Sequence, residues 1–111
     1  MDIQQGTKVD LGVKFFTKNS LPVDLTGKTV LFTIKKRSDI SINDDNAILK
    51  KDITSHIDPE KGITLISLTP DDTLIPFGIY DCDFRINTTG EDPVNTPIFQ
   101  INIVKTITKR V

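Results

Sequence analysis

The side chains best suited to chemistry in this 111-residue chain are two acidic pairs, Asp71 with Asp72 and Asp81 with Asp83, one histidine, His56, and one cysteine, Cys82. Paired carboxylates act as acid and base only when they face each other across a substrate. Adjacent acids such as Asp71 and Asp72 diverge from the backbone, and acids two apart on a strand, such as Asp81 and Asp83, sit side by side on one face. Neither pair has a second element of a site near it in sequence, so both read as solvated surface. His56 has neither a second histidine nor a cysteine near it and reads as a surface or edge residue rather than a general base. A reactive thiol needs a cation or a helix start beside it. Cys82 lies between two aspartates and reads as a small core residue.

The remaining charged clusters are equally unspecific. Asp39, Asp44 and Asp45 stand in a polar stretch, but the spacing lacks the calcium-loop pattern, the central glycine and the closing glutamate. An exposed loop over residues 38–46 is expected. Lys35, Lys36 and Arg37, and later Lys105, Lys109 and Arg110, read as solvated strand ends or guarded edges. A net charge of −1 gives no basic footprint for nucleic acid. Asn87-Thr88-Thr89 matches a glycosylation acceptor, yet the N-terminus shows no basic region followed by an apolar one. No apolar run reaches the ~18 residues of a membrane span, so a soluble protein made in the cytoplasm is expected. One cysteine excludes an intrachain disulfide and a cysteine-rich zinc site. The expectation is no catalytic residue, no cofactor-binding residue and no metal ligand.

The elements that would position these groups are strands. Residues 8–17 alternate, with Val9, Leu11, Val13 and Phe15 on one side, and Phe16 breaks the polar side. Lys18-Asn19-Ser20 then signals a turn, which would let the next strand pair directly with the first. Val23-Asp24-Leu25-Thr26-Gly27 bends again; Gly27 suits a positive φ, and Asp24 or Thr26 can cap a neighbouring amide. Residues 29–36 set Val30, Phe32 and Ile34 against Leu31, Thr33 and Lys35. Ile40 and Ile42 are candidates for a short edge segment. A weaker strand carries Ile48, Ile53 and Ile57 within residues 47–57, and residues 58–62 form a turn closed by Gly62. Residues 63–69 are apolar on both faces, which places that strand centrally.

Thr69-Pro70-Asp71-Asp72-Thr73 has an N-cap, a proline at the first helical position and acids behind it, while Pro76 limits it to one turn near residues 70–75. That turn is expected to cross between two sheets. Residues 78–87 alternate most regularly: Tyr80, Cys82, Phe84 and Ile86 inward, Asp81, Asp83, Arg85 and Asn87 to water. After a loop with Gly90, Pro93 and Pro97, residues 98–107 put Phe99, Ile101 and Ile103 inward. About seven short strands between Gly, Pro, Asn and Asp turns, and no helical period, argue one all-β domain over residues 1–111: an antiparallel β-sandwich or small barrel with loose ends at 1–7 and 106–111.

Tyr80, two residues before Cys82 and just after a helical turn, is similar to the tyrosine corner of immunoglobulin-like domains, although the second cysteine and the tryptophan of antibody domains are absent. A broader resemblance rests on Pro22-Val23-Asp24-Leu25-Thr26-Gly27-Lys28-Thr29-Val30, Gly62 before a strand, Thr69-Pro70-Asp71-Asp72-Thr73 and Pro76-Phe77-Gly78-Ile79-Tyr80. In this order they resemble the immunoglobulin-like domains of tailed-bacteriophage virion proteins, closest to the N-terminal domains of upper baseplate proteins and related tail and head-fibre modules. The resemblance implies an immunoglobulin-like sandwich that docks its protein onto the phage particle: a structural, non-enzymatic virion component with other virion proteins as partners, homo-oligomeric in the assembled particle, and with neither nucleic acid nor membrane bound. A carbohydrate-binding or adhesion module is the alternative, but the chain has no tryptophan to stack on a sugar, and Tyr80 belongs to the core face.

Overall fold

The computed structural model describes residues 1–36 and 47–105. Its strands are β1 (Asp2–Gln4), β2 (Val9–Lys14), β3 (Thr29–Lys36), β4 (Leu49–Ile53), β5 (Ile63–Leu68), β6 (Gly78–Asn87), β7 (Val94–Asn95) and β8 (Phe99–Val104), with one helical turn, α1 (Pro70–Thr73), between β5 and β6. The alternation that predicts β3 and β6 also aligns them. They pair antiparallel over eight rungs, from Thr29 opposite Asn87 to Lys36 opposite Tyr80, so Val30, Phe32 and Ile34 share a face with Ile86, Phe84 and Cys82. β8 flanks β6, β4 flanks β3, and β1 closes the sheet in the order β1-β8-β6-β3-β4, with β7 paired to the far end of β6. β2 and β5 form the second layer alone.

The core lies between the layers. Phe15, after β2, meets Phe84 edge-on at 5.4 Å, and Phe84 also packs against Phe32 at 5.1 Å and Phe99 at 5.5 Å. Offset and edge-to-face contacts add to the area these rings remove from water. Ile66 and Leu68 of β5 close the same core. The chain is therefore an immunoglobulin-like β-sandwich, and α1 makes the expected crossing between its layers.

Several expectations change. The turn after β2 does not deliver a hairpin to β3. It closes on itself through the Phe16–Pro22 bridge and the Thr17 amide bonded to the Leu21 carbonyl at 2.7 Å. The next residues cross the molecule, with Leu25 buried and its amide on the Pro59 carbonyl at 2.7 Å. β2 consequently pairs with β5, from Val9 opposite Leu68 to Lys14 opposite Ile63. β5 is not central, since β2 is its only strand partner among the described residues. The N-terminal residues expected to be loose contain β1, whose Ile3 is 3% exposed and which runs parallel to β8, a departure from the all-antiparallel expectation. The strand expected over 47–57 is confined to β4, and Ile57 is exposed. Residues 37–46, including Ile40 and Ile42, and the C-terminal end from 106 lie outside the described residues.

Glycine is indispensable at one crossing. Gly62 has φ +73°, and a Cβ there would meet the Phe15 carbonyl oxygen at 2.7 Å and that of Val23 at 2.8 Å. The 3-10 turn Pro59–Lys61 ends on this residue, beneath the close approach of the β2 end and the crossover.

Candidate functional site

The Asp24-Leu25-Thr26-Gly27 turn is a folding device. The Asp24 carboxylate accepts the Thr26 amide at 2.9 Å, Gly27 takes φ +71°, and the Lys28 amide closes the turn on the Leu25 carbonyl at 2.9 Å. Hydrogen bonds from Thr26, with Lys28 nearby, hold the Asp24 carboxyl below its ordinary value. His56 serves the same region. Its Nε2 lies 2.7 Å from the Lys28 carbonyl, which can only accept, so Nε2 carries a proton, and Nδ1 lies 2.9 Å from the buried Thr64 hydroxyl. Half-buried between β5 and the crossover, the ring fastens one to the other and leaves no nitrogen for a substrate.

Asp71 and Asp72 have different surroundings. Asp71 is exposed. Asp72 takes part in a capping box, accepting the Thr69 amide at 2.8 Å while the Thr69 hydroxyl accepts the Asp72 amide at 3.1 Å. Lys51 of β4 reaches the same carboxylate at 2.7 Å. Burial disfavours the charge on Asp72, but Lys51 and Thr69 outweigh it and hold the carboxyl below the usual range. Lys51 stands opposite Phe32, on the core side of its sheet. The contact therefore ties the edge of the large sheet to the crossing turn. Sequence reading missed it, although a lysine at an inward position of a strand is a signal that a carboxylate waits there.

Tyr80 makes the corner expected of it: its buried hydroxyl donates to the Pro76 carbonyl at 2.5 Å, and burial pushes its ionisation up. Cys82, two residues on, is buried, and its thiol is pushed up to about 12 by burial and then by Asp81 and Asp83. It is a core residue without nucleophilic character at neutral pH.

Asp81 and Asp83 do share the outer face of β6, yet Asp81 is only 7% exposed, and Thr33 beside it is buried as well. The face is wet as alternation predicts at Arg85, half-buried at Asp83 and Asn87, and covered at Asp81. Asn95 of β7, paired beside Arg85, and Ile98 help to line a groove of about 200 Å³ with Leu31 and Thr33, in which Lys35 stands opposite Asp81 and Arg85 opposite Leu31. Acidic and basic groups alternate along it, giving it no single charge preference. Among the described residues, no three of the His, Cys, Asp and Glu side chains gather as metal ligands would. Asp39, Asp44, Asp45, Arg37, Lys109 and Arg110 lie outside the described residues.

What remains exposed and regular is backbone edge. Among the described strands, β1 and β4 end the large sheet, and β2 and β5 are each paired on one side only. Edges of this kind present unpaired N–H and C=O groups to any strand that can lie beside them.

The comparisons with known proteins bear on this edge-rich domain. No curated protein matches the chain. A family model described as the BppU N-terminal domain, the N-terminal domain of the phage baseplate upper protein, matches residues 5–110. The chain belongs to that family, and with it to the structural proteins of the phage baseplate.

Proposed function

We propose that this baseplate domain is a docking module: it attaches its protein to other virion proteins through sheet edges and loops and carries out no reaction of its own. The observation that supports this best is where its reactive groups are committed. Asp72 is held by Thr69 and Lys51, His56 by Lys28 and Thr64, and Cys82 is sealed in the core. No two of these three converge on a cleft, whereas five strands, β1, β2, β4, β5 and β7, leave an edge unpaired among the described residues. Binding by strand addition uses main-chain hydrogen bonds for affinity and alternate side chains for specificity, which suits an architecture of this kind. The domain is made in the host cytoplasm and takes its place when the particle assembles.

The test is co-purification with intact particles. The protein is expected at a fixed copy number per virion, retained through a high-salt wash. Recovery only in the soluble lysate overturns the reading. A glycan array separates docking from carbohydrate binding: no retained glycan is expected, and a glycan whose binding weakens on Arg85→Ala, in the outer groove, would favour an adhesion module.

A further inference from the structure

We propose that the open edge of β2 pairs with β2 of a second copy of this chain, antiparallel about a two-fold axis through Gly12, so that the two small sheets join into one of four strands. The proposal goes beyond docking to other virion proteins, because the partner is the chain itself and no particle is needed.

Three features of β2 carry it. First, its core-facing row is incompletely covered. Val9, Leu11 and Val13 are all half-buried, while Ile66 and Leu68 on the paired strand are 0% and 1% exposed. Second, its free edge is well defined. Phe15 gives its amide to the Gly62 carbonyl on the β5 side, so alternation turns the backbone groups of Asp10, Gly12 and Lys14 away from β5. No described strand lies there. Third, the residues from Val9 to Phe15 run apolar, acidic, apolar, glycine, apolar, basic, apolar, so that the reversed run sets a base against each acid and an apolar side chain against each apolar one.

The third feature selects the partner and the register. Antiparallel neighbours place directly opposed residues on the same face, so only registers that match core row to core row survive. With Gly12 opposite Gly12, Leu11 meets Val13, Val9 meets Phe15 and Asp10 meets Lys14, each pair occurring twice by symmetry. Centring the axis on Leu11 would set Lys14 against Lys8, and centring it on Asp10 would set that carboxylate against itself; both juxtapositions are unfavourable. The two-fold contact is self-complementary, as a closed dimer requires. Nothing lies within 4 Å of where a Gly12 Cβ would stand, so a side chain can be placed at Gly12 without a clash inside the chain.

The experiment uses the full chain in solution. Sedimentation from micromolar to millimolar concentration is expected to show a reversible dimer. Asp10→Lys should weaken it by about tenfold or more, Lys14→Asp likewise, and the double charge reversal should restore it, since cross-strand charge pairs act in either sense. Asp10 and Lys14 are exposed, so the melting temperature of each variant should stay near that of the parent and separate lost pairing from lost folding. Gly12→Cys should form an interchain disulfide on mild oxidation, because opposed residues of an antiparallel pair bring their Cα atoms within roughly 4.5–5.5 Å. Ser67→Cys, on the outer face of β5, should not. A chain monomeric throughout the range, or a dimer indifferent to Asp10→Lys with no Gly12→Cys cross-link, overturns the proposal. Neither result touches attachment to the particle, which co-purification tests separately.

Discussion

Strands β6 and β2, one from each layer of the sandwich, bury their apolar rows to different depths. In the large sheet, β6 lies between β3 and β8, and every inward residue from Tyr80 to Ile86 is below 9% exposed. In the small sheet, Val9, Leu11 and Val13 of β2 alternate as regularly yet remain half-buried. Composition does not account for this, since both rows are apolar. Position does: β6 lies between β3 and β8 beneath the second layer, whereas β2 lies at the outer side of that layer, and its partner β5, with one strand neighbour as well, keeps Ile66 and Leu68 buried. An apolar row therefore defines a strand's inward face but not how deeply that face is buried, which depends on what covers it.

The largest effect expected from this contrast is at Phe84. Its ring touches Phe15 across the layers and Phe32 and Phe99 within its own sheet. Phe84→Ala removes all three contacts and leaves a void that central strands cannot close, a loss of about 3–5 kcal/mol. Urea unfolding monitored by circular dichroism measures it. A cost close to that of a change on β2 would show that the two rows are energetically alike and break the comparison.

What could be read in advance follows the same division. β3 and β6 were legible because eight and ten residues of alternation fix both a strand and its inward face. The α1 crossing was legible because Thr69, Pro70 and the acids behind them specify a helix start locally. β1 was not, as three residues with one apolar side chain give no period to detect. The pairing of β2 with β5 was hidden for another reason: about fifty residues separate them, and the choice is made by the Phe16–Pro22 closure and the Leu25 anchor, neither of which alternation reports. Asp81 stands between Lys35 of β3 and Gln100 of β8, neighbours that the sequence of β6 alone does not report. At the candidate site, the core position of Cys82 was legible from the alternation of β6, but the half-buried place of His56 between Lys28 and Thr64 and the Lys51–Asp72 link were not, because their halves sit on different elements.

That link gives an intermediate effect and a pH signature. Asp72→Asn keeps an acceptor for the Thr69 amide but removes the charge facing Lys51, at a cost of about 1 kcal/mol near neutral pH. The folded Asp72 carboxyl titrates below its unfolded value of ~3.9. Its contribution is thus fully present above that value and is lost as pH falls through the folded one. The stability gap between the parent and Asp72→Asn should stay constant from pH 7 down to about 5 and close in the range below about 4. Chemical denaturation at a series of pH values measures the gap. One that widens on acidification would mean that Lys51 does not stabilise the folded carboxylate, and that the open end of the large sheet is held by packing alone.

The smallest effect on folding is expected at Leu11, in the middle of the half-covered row. Leu11→Ala discards a side chain that water already reaches in the monomer, so the cost should be near 1 kcal/mol, below the roughly 2–5 kcal/mol of a buried leucine. The same change should act more strongly on association. When β2 pairs about Gly12, Leu11 lies opposite Val13 of the second copy, and the row gains the neighbour it lacks. Denaturation at low concentration gives the first quantity and sedimentation at high concentration the second. A Leu11→Ala chain that folds less well by several kcal/mol yet associates normally would mean that the row is already complete within one chain, and the contrast between the layers would then reflect side-chain size rather than an unfinished sheet.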